Sequence, residues 1–363
     1  MWNNLGAAPE PLVREITVIG PGHGESVVVH LGNGEWIVVD SCAIPSMPNS
    51  SAPLQYLQAL GVDVANAVKL VIVSHWDDDH IRGISLALEA FRSSAFCCAT
   101  AFTEREFVRF VRSLSLGGQT TGQGNVSEFR RCLEILGARG QAVRTATPGR
   151  QLSDKGMPVV KSWSPSDYDN MCFLRYVAEN YPSDWGPMRR AVPGSPNLTS
   201  VVVSIDWDDQ SALLGGDMLR SMDARRGWGA IVSEAKRVGF SKGGVIKVPH
   251  HGSEGAHDAE MWTDLLCAQP ISVTAPFGKG AAKSRPPQPN DVRRIAGLSS
   301  EAYLTAGRSA GSIAKKEPAV TRSLREGGIR ITSARTAIGM VRLRGLSGKG
   351  WSAELFGDAR RAK

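Results

Sequence analysis

The chain has 363 residues, 42% hydrophobic and 21% charged, with a mean hydropathy of −0.15, the composition of a globular protein with a core of full size. No apolar run approaches the ~18 residues of a membrane span, Met1-Trp2-Asn3-Asn4 opens nothing like a signal peptide, and the six cysteines contain no C-x-x-C pair. These features argue against a membrane protein, a disulfide scaffold and a zinc ribbon, and the expectation is a reduced, cytoplasmic protein of enzyme size. The net charge of +7 resides in residues 319–363, where ten lysines and arginines face only Glu326, Glu354 and Asp358. A basic C-terminal stretch attracts phosphate-bearing partners, and a solvated surface explains it equally well.

In chain order, Arg14–Gly20 and Ser26–His30 read as β-branched strands, and Glu35–Asp40 follows the turn Gly32-Asn33-Gly34 as a hairpin partner. Helical spacing marks Pro53–Leu60, Val68–Val73 is a short apolar strand, and a helix is expected over Arg82–Arg92. Thr103-Glu104-Arg105-Glu106 resembles a capping box opening a helix to about Leu114, and Glu128–Leu136 is a further amphipathic helix. Residues 164–196, rich in Pro, Ser, Asp and Tyr, read as a long loop or lid. Strands Ser200–Ile205 and Ser211–Leu214 then flank a turn, a helix spans about Leu219–Val238, and Gly244–Val248 is a strand. A hairpin of Gly339–Arg344 with Trp351–Phe356 ends the chain. Strand groups separated by helices predict an α/β sandwich formed as one domain over 1–363.

The seven histidines fall into groups, with none between His80 and His250. Ser74-His75-Trp76-Asp77-Asp78-Asp79-His80 follows one apolar strand directly, and Lys247-Val248-Pro249-His250-His251-Gly252-Ser253 overlaps the end of another. Between them, Leu213-Leu214-Gly215-Gly216-Asp217 places a carboxylate at a third strand end. Imidazole and carboxylate together suit Zn²⁺, Mn²⁺ or Fe. So many anionic oxygens in one pocket repel one another unless a cation neutralises them. An Asp-rich loop that merely caps the next helix accounts for the first group but not for all three. His30, inside a strand, reads as a packing residue, and His23 follows a glycine turn. Trp76 and Trp262 read as core or rim.

This set resembles the metallo-β-lactamase superfamily. The signature H-x-H-x-D-H of that family reads here as His75-x-Asp77-x-Asp79-His80, with Asp in place of the second His, followed by Gly83. In that variant form it is similar to the hydrolase domain of the DNA-internalisation competence proteins (ComEC type). Gly22-His23-Gly24-Glu25-Ser26, Ile37-Val38-Val39-Asp40, Asn197-Leu198-Thr199-Ser200, Leu214-Gly215-Gly216-Asp217 and Val248–Ser253 resemble further motifs of the same group in the same order.

The resemblance implies an αββα sandwich of the metallo-β-lactamase type with two divalent metal ions, Zn or Mn, at one edge. It assigns His75 and Asp77 to one metal, and Asp79, His80 and a histidine of the second pair to the other, with Asp217 bridging. His251 is the favoured histidine, leaving His250 as an alternative ligand or a group facing substrate, and Asp40 orients a ligand histidine. The further histidine that many members supply from mid-chain is absent. Asn197 stands in its place, and the oxygen-rich set that remains shifts the metal towards Mn²⁺ or Mg²⁺.

The implied function is hydrolysis by a hydroxide activated at a dinuclear metal site. Asp79 or Asp217 orients the hydroxide, and His257 is a candidate proton donor to the leaving group. The favoured reading is a phosphodiesterase or nuclease with nucleic acid as substrate, with Lys247, Lys279, Lys283 and Arg285 as candidate phosphate contacts. The alternative is a hydrolase of a small molecule such as a cyclic nucleotide, phosphocholine ester or lactone. A non-catalytic binding module is the third reading. Any partner proteins encoded beside it are left open.

Overall fold

The computed structural model describes residues 5–20, 24–44, 47–116, 124–180, 196–278, 285–306 and 339–362. The chain begins with β1 (Arg14–Ile19), β2 (Ser26–Gly32) and β3 (Glu35–Val39), and continues through α1 (Ala52–Ala59), α2 (Val64–Ala67) and β4 (Val68–Ile72). Next come α3 (Asp78–Ile81), α4 (Ile84–Ala90), β5 (Ala95–Ala99), α5 (Arg105–Leu116), α6 (Gly124–Ala138) and β6 (Arg144–Ala146). The second half holds β7 (Arg150–Gln151), β8 (Val159–Ser162), α7 (Asp167–Glu179), β9 (Val203–Asp206), β10 (Ser211–Leu214), α8 (Gly227–Val238) and β11 (Gly243–Lys247). It closes with α9 (Ala259–Asp264), β12 (Leu266–Thr274), α10 (Pro289–Gly297), β13 (Glu301–Leu304), β14 (Met340–Gly345), β15 (Trp351–Phe356) and β16 (Arg360–Arg361).

Two eight-stranded sheets result, in the orders β15-β14-β1-β2-β3-β4-β5-β6 and β16-β13-β12-β11-β10-β9-β8-β7. The period-two alternation of the strands explains how they stack. In the second sheet Val203, Ile205, Ala212, Leu214 and Val245 face a core shared with the first sheet, while Leu213 and Ile246 point the other way. That outward side is covered by Trp228, Ile231 and Val232 of α8, Met261 of α9 and Ile295 of α10. On the first sheet, Glu15 and Thr17 of β1 meet Tyr56 of α1, and the apolar faces of α4, α5 and α6 join the same core. The architecture is an αββα sandwich, as expected. Within each sheet β3 runs parallel to β4, and β10, β11 and β12 run parallel to one another. Their carboxyl ends therefore open at one edge, where loops can hold a ligand.

Several local expectations need correction. The segment 164–196 is not simply a lid. It contains the helix α7, whose N-cap Ser166 accepts a hydrogen bond from Asp169 N, while residues 181–195 lie outside the described set. The Thr103 hydroxyl donates to Thr100 O at 2.8 Å and caps a 3-10 turn, so α5 starts at Arg105 without the expected box. The helix expected from Leu219 starts only at Gly227, whose φ of +59° and contact with Leu219 O leave no room for a Cβ. Residues 200–202 are not paired as strand. Val201 N donates to Ser74 O, tying the two sheets together beside the first histidine motif, and Val202 N donates to Ser164 Oγ rather than to a strand neighbour. The terminal hairpin is present as β14 and β15, whereas much of the basic stretch, up to residue 338, lies outside the described residues.

Candidate metal centre

Four strand ends supply the site. Asp40 follows β3, Ser74 and His75 follow β4, Asp217 follows β10, and His251 follows β11. The backbone there is held in uncommon conformations. Of six non-glycine residues with left-handed φ among the described residues, three are Asp40 (61°), His250 (46°) and His251 (54°). Such strain clusters where side chains must be aimed at a ligand. Gly24 has φ of +85°, and a Cβ there would meet Asp79 O and Cys42 Cβ at 2.7 Å. It thereby lets Glu25 N donate to Asp79 O and brings the chain hard against the motif.

His80 Nδ1 lies 2.8 Å from Asp40 Oδ2, which turns Nε2 to 3.4 Å from Asp217 Oδ2 and 3.7 Å from Asp79 Oδ2. His251 is held at Nδ1 by Ala275 O (2.9 Å), leaving Nε2 at 3.2 Å from Asp79 and 3.5 Å from Asp217. His75 Nδ1 meets Ser74 Oγ, its Nε2 lies 3.6 Å from Asp77 Oδ2, and its ring sits 4.2 Å from that of His80. His75, His80 and His251 are buried, as are Asp40 and Asp217, while Asp77 is about two-fifths exposed and marks the mouth. His250 is half-buried at the same mouth, with Nδ1 on Ser253 Oγ and Nε2 4.0 Å from Asp217.

The fit of this pocket to a cation can be judged from its unpaired atoms. Among the described residues, His75 Nε2, His80 Nε2 and Asp217 Oδ1 are buried with no hydrogen-bond partner, and so is Asn197 Oδ1. Every Nδ1 is engaged on the far side, so what converges is a set of lone pairs and carboxylate oxygens. That is the donor set of a Zn²⁺ or Mn²⁺ site, with the outer hydrogen bonds that aim its imidazoles already in place. A wider group of ligand atoms within 4.8 Å joins Glu25, His80, Asp217 and His251. Glu25, however, approaches the Nδ1 edges of His80 (3.7 Å) and His251 (3.6 Å), behind the rings. We therefore place it as a backing charge, with Asp79 on the inner side.

The electrostatics follow from this crowding. Burial alone would lower the pKa of His80, but Asp217, Glu25 and Asp79 outweigh it and hold it well above the ordinary imidazole value. His251 is raised against burial in the same way, chiefly by Asp217 and Asp79. Asp217 is held well below the carboxylate range, its burial outweighed by His80 and His251, and Asp79 is lowered by the same pair. In the protein alone, these carboxylates favour positive charge on His80 and His251. A cation held there would supply that positive charge in place of protons. His250 moves the other way, lowered chiefly by burial.

Two residues acquire roles that the sequence did not suggest. Glu25 was visible only as part of a glycine turn, and a carboxylate between that turn and a strand was its one signal. Lys247, a candidate phosphate contact by sequence, is instead buried. Its Nζ pairs with Glu25 Oε1, donates to Gly216 O at 2.9 Å and lies 3.8 Å from Asp217 Oδ1, so substrate cannot reach it. Lys279, Lys283 and His23 lie outside the described residues. His257 is not brought to the cluster by any hydrogen bond or ion pair among the described residues. Its ring neighbours Trp262 at 6.4 Å, and its pKa is lowered by burial and then by Arg294. His30 is a packing residue, with Nδ1 on Val13 O and Nε2 accepting from Gly34 N, and Trp76 and Trp262 are buried. No described helix is long and apolar enough to cross a membrane.

No family model matches the chain, and no curated protein matches it. Solved structures do align with it. The metallo-β-lactamase fold protein YhfI from Bacillus subtilis aligns over 80% of this chain and 95% of its own, at 11% identity and a TM-score of 0.39. A metallo-β-lactamase from Cronobacter sakazakii aligns over 66% and 77% at 14% identity and 0.35. The hydrolase AbOPH of the β-lactamase superfamily aligns over 63% and 83% at 13% identity and 0.36. At such identities and scores the likeness says nothing of substrate or reaction.

Proposed function

We propose that the protein is a metal-dependent hydrolase with a two-metal centre, and that its substrate is a phosphodiester, most plainly a nucleic acid. One observation carries this reading: the inner nitrogens of His80 and His251 and the carboxylates of Asp79 and Asp217 converge from separate strand ends, with the outer edges of the imidazoles already hydrogen-bonded. His75 and Asp77 would hold one cation and Asp79, His80 and His251 the other, with Asp217 between them. Divalent cations held there supply Lewis acidity and lower the pKa of water towards neutrality.

The chain's own groups do the rest. Asp40 and the Ala275 carbonyl fix the outer nitrogens of His80 and His251, so the inner lone pairs cannot swing away. Asp79 Oδ2, on the inner side of both rings, is placed to orient the attacking water and accept its proton. His250, at the mouth and anchored by Ser253, faces the substrate side. The order of motifs shared with the competence-type hydrolases and the excess positive charge of the chain support a nucleic-acid substrate.

The test is hydrolysis of bis-p-nitrophenyl phosphate and of single- and double-stranded DNA and RNA with Mn²⁺, Zn²⁺ or Mg²⁺ added. Metal-dependent cleavage of the diester and a nucleic acid, lost in Asp79→Ala, is expected. Cleavage of lactones or phosphocholine esters alone would move the assignment to a small-molecule hydrolase. No turnover of any diester with any metal would overturn the phosphodiesterase reading.

A further inference from the structure

Resting on the reading of His75 and His80 as metal ligands, we propose that Ser74 is a positioning residue that relays Asp40 to His75, so that one carboxylate aims both imidazoles of the first motif.

The chain of hydrogen bonds has only one consistent direction. The Asp40 carboxylate takes three donors: Ser74 N on Oδ1 at 2.7 Å, and Ser74 Oγ (2.5 Å) and His80 Nδ1 (2.8 Å) on Oδ2. A hydroxyl has a single proton. Since Ser74 donates that proton to Asp40, its oxygen meets His75 Nδ1, 3.0 Å away, as an acceptor. His75 must therefore carry a proton on Nδ1, and its Nε2 is buried with no hydrogen-bond partner among the described residues. His80 has its Nδ1 held directly by Asp40.

The clamp is rigid at both ends. Ser74 and Asp40 are fully buried, Asp40 N donates to Ile72 O, and Ser26 Oγ donates to Asp40 O. Nothing else described holds the outer nitrogen of His75, whereas His80 touches the carboxylate itself. The relay is thus the part of the site where one hydroxyl separates the two halves. Removing it frees His75 to rotate or change tautomer and leaves His80 aimed. Removing the carboxylate disturbs both.

The experiment compares full-length wild type with Ser74→Ala, Ser74→Thr and Asp40→Asn. Long-range ¹H–¹⁵N imidazole spectra of metal-free protein report tautomers, calorimetric titration with Mn²⁺ and Zn²⁺ reports the affinity of each site, and thermal melting confirms folding. Wild type shows His75 and His80 protonated at Nδ1. Ser74→Ala mixes the His75 tautomers, keeps the Nδ1 proton of His80, and weakens one site by about tenfold or more while sparing the other. Ser74→Thr restores both readouts, and Asp40→Asn weakens both sites. An unchanged His75 tautomer in Ser74→Ala, or equal loss at both sites, overturns the relay. A wild type that binds no metal, with His75 still losing its tautomer in Ser74→Ala, sinks the metal reading and upholds the relay.

Discussion

Two buried polar assemblies, one on the first sheet and one where strand ends of both sheets meet, are built on opposite terms. Away from the site, Glu15 is fully buried between β1, β14 and α1, and its charge is answered. Oε1 accepts from Thr17 Oγ1 and Tyr56 OH, and Oε2 accepts from Arg344 Nε with Arg342 Nε 3.7 Å away. Arg342 in turn reaches Leu5 O and Glu354 and packs over Phe356, leaving only Nη2 without an acceptor. At the strand ends, by contrast, several atoms are unanswered among the described residues, nearly all of them acceptors, and the inner nitrogens of His80 and His251 face the same Asp217 oxygen. The first assembly is balanced by the protein alone and locks the terminal hairpin to the N-terminal strand. The second is balanced only when positive charge arrives from outside. Burial and charge are similar in the two places, so the sign and direction of the unpaired atoms separate structure from function.

Single substitutions can break that contrast. The largest effect is expected for Asp217→Ala, which removes the carboxylate shared by His80 and His251. Metal-dependent diester hydrolysis should fall by about a thousandfold, roughly 4 kcal/mol of barrier, in a protein whose far-ultraviolet spectrum is unchanged. Glu15→Ala should do the reverse, costing about 3–5 kcal/mol in urea unfolding because two arginines lose a buried partner, while metal affinity measured under folding conditions stays within a few-fold. If Asp217→Ala unfolds the chain and Glu15→Ala does not, the distinction between the two assemblies fails.

Lys247 sharpens the comparison, because it is a balanced pair placed inside the unbalanced site. Lys247→Met leaves Glu25 buried and uncompensated and should cost about 3 kcal/mol. Adding Glu25→Gln should recover most of that loss, which thermal or urea unfolding of the four combinations will reveal. A double variant no more stable than Lys247→Met would mean that Glu25 and Lys247 do not act as a pair. The smallest effect is expected for His257→Gln. Without a contact to the cluster it should change kcat by less than tenfold, against the ~10²–10⁴ of a general acid. A loss of a hundredfold or more, with metal affinity intact, would make it the proton donor.

The sequence carried much of the site because its ligands occur in short runs at strand ends. His75, Asp77, Asp79 and His80 are spaced within six residues, and the loop His250-His251-Gly252-Ser253 follows a strand that is apolar up to Lys247. The structure places the inner nitrogens of His80 and His251 within 3.2–3.7 Å of Asp79 and Asp217. Glu25, Ser74 and Lys247 stayed hidden because their roles lie in contacts between residues 31 to 222 positions apart, which no local spacing encodes. The same limit applies to the fold. β10 was legible to the residue from its apolar run, whereas β12, with exposed residues at 267–269 and Pro270 inside it, offered no clear period. Helix α7 was masked by the Pro- and Ser-rich residues around it, although Ser166 followed three positions later by Asp169 was a cap signal in plain view.

The central claim is that the converging lone pairs at the strand ends take up divalent cations. Anomalous diffraction from crystals grown with Mn²⁺ and, separately, Zn²⁺ tests it most directly. The account predicts a strong peak bounded by Asp79, His80, Asp217 and His251, and a second beside His75 and Asp77. Crystals that show ordered side chains at these positions and no anomalous density between them at millimolar metal would contradict it.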